Sequence, residues 1–113
     1  MKVIIAGGRN VTDQHYVNLA CTKAPFTITE VVSGCANGVD TLGEVWAIHH
    51  EIPIKKFPAD WDQHGRRAGS LRNIQMGDYA QALIAVWDGK SRGTKHMIDY
   101  MKSINKPVYI QYV

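Results

Sequence analysis

Short apolar runs alternate along the chain with longer segments whose apolar residues recur at helical spacing. The runs are rich in β-branched residues, and several end at glycine or serine. This pattern is typical of buried strands that lead into turns. The five predicted strands are Lys2–Ala6, Ile28–Ser33, Ile54–Phe57, Ala82–Trp87 and Pro107–Tyr112.

Four helices are predicted between these strands. The second carries Leu42, Val45, Trp46 and His49 at positions i, i+3, i+4 and i+7, the spacing of one helix face, and His49 is expected to be either packed or solvated there. The segment Pro58–Gly65 shows no such spacing and is predicted to be irregular. The predicted helices run from Thr12, as the N-cap, to Ala24, from Asn37 to His50, from about Arg66 to Tyr79, and from Thr94 through Ile104.

This alternation of strands and helices predicts an α/β fold. We expect a Rossmann-like, doubly wound parallel five-stranded sheet in the order 3-2-1-4-5, with helices on both faces and one domain over residues 1–113. Ligands of such sheets bind beyond the carboxyl ends of the strands, where the strand order reverses. That point lies between strands one and four, so the turns that follow them are the expected site.

The amino-acid composition limits the structural class of the protein but does not indicate its function. With 113 residues, 45% hydrophobic and 20% charged, the chain is typical of one soluble globular domain, which excludes a disordered or coiled-coil protein. The net charge of +3 favours an anionic ligand only slightly. Two cysteines are too few for a disulfide scaffold, and no signal peptide or membrane-spanning segment is apparent, so we expect a cytoplasmic protein with no membrane association.

The turn after strand one contains Gly7, Gly8 and Arg9. Glycines let the backbone approach a ligand closely, and arginine pairs with phosphate or carboxylate. A tight turn with a solvated Arg9 explains the same residues equally well. The turn therefore marks a candidate phosphate contact and does not establish one.

The turn after strand two runs from Ser33 to Asp40 and has a stronger pattern. Its two glycines, Gly34 and Gly38, bracket a loop that leads into a helix, whose N-terminus favours an anion. Asp40 and Glu44 lie one helical turn apart, and either carboxylate could accept from a ribose hydroxyl or hold a cation. Helix capping by Asp40 and solvation of Glu44 are the competing explanations.

Two further groups complete the predicted site. Trp61 beside Asp60 forms a candidate platform for stacking a base, and Arg72 with Asn73 lies in mid-helix where nothing local requires them. The segment from Trp87 to Thr94 is a polar turn before a helix, suited to phosphate, although Thr94 could be only an N-cap. The five histidines lack metal-ligand spacing, so we predict no metal site and no cofactor.

Taken together, these segments resemble the SLOG superfamily, a Rossmann-like group that includes DNA-processing protein A and the Lonely Guy phosphoribohydrolases. The small single-domain YspA-like branch is the most similar. The resemblance implies binding of a nucleotide or a nucleotide-derived small molecule, for sensing or sequestration. Its residues are Gly7-Gly8-Arg9, Ser33-Gly34-Cys35-Ala36-Asn37-Gly38-Val39-Asp40, Pro58-Ala59-Asp60-Trp61, Ala68-Gly69, Arg72-Asn73, Trp87-Asp88-Gly89 and Ser91-x-Gly93-Thr94, in which x is any residue.

The two relatives imply different alternatives. The Lonely Guy enzymes cleave an N-glycosidic bond with an arginine, which Arg72 would match, and with a glutamate, at whose position this chain has Met97. If the chain is an enzyme of this kind, the catalytic candidates are Arg72, Asp40 and Glu44. DNA-processing protein A shares the Ser33–Asp40 pattern, so single-stranded DNA binding is a third alternative.

The sequence thus predicts a binder of a nucleotide-derived small molecule that forms a homo-oligomer, with nucleic acid as a less favoured partner. The expected ligand-binding residues are Gly7, Gly8, Arg9, Ser33, Gly34, Asn37, Gly38, Asp40, Asp60, Trp61, Arg72, Asn73, Asp88, Gly89, Ser91, Gly93 and Thr94.

Overall fold

Five parallel strands form the centre of the protein in the order β3-β2-β1-β4-β5. The computed structural model describes residues 1–113. It confirms both the predicted α/β class and the predicted strand order. The strands are β1 (Lys2–Gly7), β2 (Glu30–Ser33), β3 (Ile54–Lys56), β4 (Ala82–Trp87) and β5 (Val108–Tyr112).

Five helices connect the strands, with a short 3₁₀ turn at Gly65–Arg67 before the fourth. The longest two have 12 residues each, and no helix has the length and apolar character needed to cross a membrane. The helices are α1 (Gln14–Lys23), α2 (Val39–His49), α3 (Trp61–His64), α4 (Ala68–Tyr79) and α5 (Arg92–Ser103).

The sheet separates two hydrophobic cores, as expected for helices on both faces. Successive side chains of a strand point to opposite faces, so Val3 and Ile5 of β1 join the core under α1 and α2. Ile4 and Ala6 join the core under α4 and α5. Burial on both faces explains why the central strands read as continuous apolar runs.

The predicted starts of α1, α2 and α5 were wrong by one to three residues, and at α1 the reason is that two neighbouring side chains compete as the cap. Asp13, not Thr12, caps α1, and its carboxylate accepts the backbone N–H of His15 at 2.9 Å. Helix α5 begins at Arg92 with Ser91 at the N-cap position, so Thr94 lies inside the first turn and is buried. Helix α2 likewise begins at Val39, after Gly38 and not at Asn37.

The inward face of α2 was only partly predicted. Val45 is 47% exposed and His49 is also exposed, whereas the small residues Gly43 and Ala47 are buried. A Cβ at Gly43 would lie 2.8 Å from a methyl group of Ile5, so the helix packs too closely on the sheet for a larger residue there. The buried face of α2 is therefore determined by the small residues that let the helix approach the sheet, and not by the larger apolar residues.

The segment Pro58–Gly65 is not irregular throughout, as predicted, because it contains α3. The carboxylate of Asp60 caps this single helical turn by accepting the backbone N–H of Gln63 at 3.0 Å. The 3₁₀ turn then carries the chain into α4, which starts at Ala68 and not at Arg66. This short helix places Trp61 beside the carboxyl ends of the strands.

Candidate functional site

A cleft of about 660 Å³, here called the main cleft, opens at the carboxyl ends of β1 and β4. Its walls are the turn after β1, the face of α4 and the turn between β4 and α5. A smaller cavity of about 310 Å³, the side cleft, adjoins it next to the loop after β2. Arg9, Trp61 and Arg72 line both, so the two form one divided depression at the point where the strand order reverses.

Most of the predicted ligand-binding residues line this depression, and four do not. The side cleft adds Gly34 and Asn37 to those of the main cleft. The predicted residues in the main cleft are Gly7, Gly8, Arg9, Asp40, Trp61, Arg72, Asn73, Asp88, Ser91, Gly93 and Thr94. The predicted ligand-binding residues that line neither are Ser33, Gly38, Asp60 and Gly89. The catalytic candidate Glu44 lines neither cleft either.

Close packing requires glycine at two of the predicted positions. A Cβ at Gly7 would lie 2.1 Å from the carbonyl oxygen of Val86 in the neighbouring strand. Gly38 has a φ of +75°, and a Cβ there would lie 2.3 Å from the carbonyl oxygen of Gly8. The turns after β1 and β2 are therefore in close contact and form one rigid edge of the cleft.

Ser33 and Glu44 organise the loop after β2 from beneath. The Ser33 hydroxyl is buried, donates to Glu44 Oε2 at 2.5 Å and accepts the backbone N–H of Cys35 at 3.1 Å. Glu44 Oε1 also lies 3.6 Å from Lys56 Nζ. These contacts hold Cys35 at a φ of +64°, a conformation that non-glycine residues rarely adopt.

Asp40 is a nearly buried carboxyl group at the floor of the main cleft, with 5% of its surface exposed. Its Oδ2 accepts the backbone N–H of Ala36 at 3.2 Å. Burial raises the pKa of Asp40 to about 6, and the Ala36 hydrogen bond and the positive charge of Arg72 oppose that shift only partly. Asp40 therefore exchanges a proton close to neutral pH.

Arg72 crosses from α4 to the loop after β2. Its guanidinium donates to the carbonyl oxygen of Gly34, and its Nε donates to Asn73 Oδ1 at 3.1 Å. A Cβ at Gly34 would lie 2.7 Å from Arg72 Nη1 and 2.8 Å from Asp40 Oδ2, so only glycine leaves room for both groups. Burial lowers the pKa of Arg72, and the nearby Asp40 carboxylate opposes the change.

Asn73 continues this chain of hydrogen bonds to the opposite wall. Its Nδ2 lies 3.2 Å from the carbonyl oxygen of Gly93 and 3.1 Å from His96 Nδ1. The two mid-helix residues of α4 thus connect the loop after β2 to the first turns of α5. Their placement explains why Arg72 and Asn73 interrupt the apolar pattern of that helix.

The turn between β4 and α5 presents unused backbone donors. Asp88 Oδ1 accepts the N–H groups of Lys90 and Ser91 at 2.7 and 2.8 Å, and these bonds lower the pKa of Asp88. The backbone N–H groups of Arg92, Gly93 and Thr94 make no hydrogen bond within the protein. The N-terminus of a 12-residue helix is therefore open toward the cleft, where its dipole favours an anion.

Positive charge predominates on the lining. The only carboxylates of the main cleft are Asp40 and Asp88, and Asp88 is already held by its own turn. Several of the cationic side chains were missed as site residues because surface arginines and lysines are common and their position depends on the tertiary fold. The cationic residues of the lining are Arg9, Arg66, Arg72, Lys90 and Arg92, with His96 beside them.

Trp61 provides an aromatic surface where the two clefts meet. Its side chain is 52% exposed and lies close to Gly69 of α4, where an added Cβ would be 3.6 Å from the ring. An exposed tryptophan beside cationic groups suits the stacking of a planar ring. The arrangement can thus hold an anion at α5, accept a hydroxyl hydrogen at Asp40 and stack a ring on Trp61.

Comparisons with known proteins agree with this geometry at the level of a family. The family model described as the YspA, cpYpsA-related SLOG family matches residues 1–64. The Gene 61 protein of Mycobacterium phage D29 is 32% identical over 117 aligned positions, which cover 95% of this chain and 93% of that protein. No solved structure matches the chain.

Proposed function

Because the chain belongs to the YspA, cpYpsA-related SLOG family, we propose that it binds a nucleotide or a nucleotide-derived small molecule in the main cleft. The observation that carries the proposal is the cleft lining, in which five cationic side chains face two carboxylates beside an open helix N-terminus. Such a surface favours a phosphorylated ligand. The role is the sensing or sequestration of that ligand.

Each part of a nucleotide has a chemical match in the lining. Phosphate oxygens suit the backbone donors of Gly93 and Thr94 and the guanidinium of Arg9. A ribose hydroxyl suits Asp40, whose carboxylate has one oxygen without a hydrogen-bond partner. The base suits the exposed face of Trp61.

The proposal is tested by thermal shift with nucleoside monophosphates, ADP-ribose, NAD and cyclic nucleotides, followed by chromatography of each mixture. A ligand present at 100 times its Kd stabilises the folded state by about 2.7 kcal/mol, which a melting experiment detects readily. Stabilisation by a ligand that is recovered intact supports the proposal. Stabilisation by oligonucleotides alone would contradict it and favour single-stranded DNA binding.

A matched pair of arginine variants separates a local contact from a general effect of charge. Arg9 lines both clefts, whereas Arg67, which is also exposed, lines neither. We expect Arg9→Ala to reduce the ligand-induced shift and Arg67→Ala to leave it unchanged. Equal reduction by both variants would indicate nonspecific attraction to a basic surface.

A second candidate function is hydrolysis of the N-glycosidic bond of a nucleoside phosphate, which releases the free base as water adds to the ribose. The pKa of Asp40, raised to about 6 in a cleft beside Arg72, is suited to a general acid or base. Against it, Met97 lines the cleft and has no group that could activate water. Release of free base by wild type, lost in Asp40→Asn, would establish the enzyme.

Self-association is a separate proposal, supported by two exposed apolar side chains on α2. Val45 is 47% exposed and Ile48 is 70% exposed, although both lie on a regular helix. Light scattering after size exclusion measures the assembly directly. A monomer at all concentrations would contradict a homo-oligomer.

A further inference from the structure

Two neighbours determine the orientation of the Asn73 side-chain amide. The Nε–H of Arg72 can only donate, so the atom that faces it at 3.1 Å is the amide oxygen. The carbonyl oxygen of Gly93 can only accept, so the atom that faces it at 3.2 Å is the amide nitrogen. Both contacts require the same orientation, and Asn73 is 7% exposed, which leaves little access for water.

The amide nitrogen has a second hydrogen, and it points at the imidazole of His96. The Nδ2–Nδ1 distance is 3.1 Å, so His96 Nδ1 has to be the acceptor and cannot carry a proton. A ring turned by 180° would place a C–H group against the Asn73 N–H and lose the bond. The remaining proton of the neutral ring is therefore on Nε2.

The Nε2–H group of His96 has no partner in the protein. His96 lines the main cleft and lies one helical turn after Gly93, whose backbone N–H is open. A group that can only donate selects a ligand atom that accepts a hydrogen bond. Phosphate oxygens meet that requirement, and an amino group does not.

We propose that Asn73 is a positioning residue that fixes the Nε2–H tautomer of His96, and that His96 donates this hydrogen to a phosphate oxygen of the ligand. The inference rests on the proposed function for the nature of the ligand. The tautomer is a property of the free protein. Arg72 begins the relay, since its Nε–H holds the amide oxygen of Asn73.

The first test is NMR of protein with ¹⁵N-labelled histidine, without ligand and at about pH 8, where an ordinary histidine is neutral. We expect Nδ1 of His96 to resonate in the unprotonated range and Nε2 in the protonated range. The exposed His15 and His64 serve as internal references for ordinary tautomer mixtures. Loss of one signal set in His96→Phe assigns the spectrum.

Two substitutions at position 73 separate tautomer control from packing. Asn73→Asp has the same shape but offers only acceptors, so we expect it to move the His96 proton to Nδ1. Asn73→Ala removes the contact and should return His96 to a mixture like that of the references. An unchanged His96 tautomer in both folded variants, or a mixed tautomer in wild type, would overturn the control by Asn73.

The second test titrates wild type with AMP and with inorganic phosphate while the His96 signals are followed. Loss of one hydrogen bond to a charged oxygen should raise the Kd about tenfold in His96→Phe. His96→Gln keeps a donor and should bind more tightly than His96→Phe, whereas His64→Ala serves as the control. A response to AMP but not to phosphate would assign the contact to the nucleoside part and overturn the phosphate assignment.

The two proposals fail in distinguishable ways. A ligand that binds with the same Kd to wild type and His96→Phe would overturn the donor role of His96 and leave nucleotide binding intact. Failure of every nucleotide to bind would contradict the proposed function and the donor role together, while the tautomer measured in the free protein would still test the part played by Asn73.

Discussion

Replacement of Asp40 by asparagine should make the folded protein more stable at neutral pH. The Asp40 carboxyl group is 5% exposed, and burial raises its pKa from 3.8 to about 6. Each pKa unit corresponds to 1.36 kcal/mol, so the rise from 3.8 to about 6 means that ionised Asp40 lowers the free energy of unfolding by about 3 kcal/mol. Asp40→Asn resembles the protonated form and keeps an oxygen for the Ala36 N–H, so it should remove this cost.

The sign of the pH dependence follows from the raised pKa. Well below pH 3.8 the carboxyl group is protonated in both the folded and unfolded states, so Asp40→Asn and wild type should be equally stable. As the pH rises from about 4 to 6, the unfolded state ionises while the folded state stays protonated, so wild type loses stability. The advantage of Asp40→Asn should therefore grow between about pH 4 and 7 and then level off.

Urea unfolding at several pH values measures the effect as a difference between free energies of unfolding. Asp99→Asn is the matched control, because its carboxylate is 56% exposed and its ion pair with Lys95 lies at the surface. We expect the control to change stability by less than about 0.5 kcal/mol. A less stable Asp40→Asn at pH 8, or an advantage that persists unchanged at pH 4, would refute the reasoning.

A carboxyl group that destabilises the fold and lines a cleft is expected to have a role in ligand binding. Burial of a charge without an ion pair within 4 Å lowers stability, and such residues cluster at sites that use them. We therefore expect Asp40→Asn to weaken ligand binding while it stabilises the fold. A variant that is both more stable and equally able to bind would assign Asp40 no part in the site.

Two further substitutions test the framework that positions the site. Lys106 Nζ donates three hydrogen bonds of 2.8–3.1 Å to carbonyl oxygens at the end of α4. Lys106→Met removes them and should lower the free energy of unfolding, measured in urea, by about 1–3 kcal/mol. Gly38→Ala should cost about 1–3 kcal/mol because of its φ of +75° and its contact with Gly8, whereas Gly93→Ala, with open space around it, should change stability little. Equal effects of the two glycine variants would contradict the packing of the turns after β1 and β2.

The sheet could be predicted from the sequence because the burial of each strand is visible in the apolar residues of that strand alone. Strands buried on both faces read as continuous apolar runs, and right-handed crossovers with short connections restrict the strand order. Helix ends were harder, since Thr12 and Asp13 are both good N-caps and only the tertiary structure selects one. The exposed Val45 was missed because the contact of Gly43 with Ile5 is not apparent in a periodic pattern.

The candidate site was predicted as a set of turns but not as a network. Glycines and polar residues after strands mark the rim, so Arg9 and the segment from Asp88 to Thr94 could be identified without a structure. The link from Arg72 through Asn73 to His96 depends on how α4 packs against α5, which no local pattern encodes. Sequence reasoning also could not show that Glu44 lies beneath the loop, bonded to Ser33.

The most direct test of nucleotide binding in the main cleft is an amide NMR titration with the nucleotide that gives the largest thermal shift. Nucleotide binding at this site predicts that chemical shift changes concentrate on the turns that form the cleft, at Gly8, Arg9, Gly93 and Thr94. Changes confined to the opposite end of the sheet, near Thr27 or Lys106, or no change with any nucleotide of the panel, would contradict it.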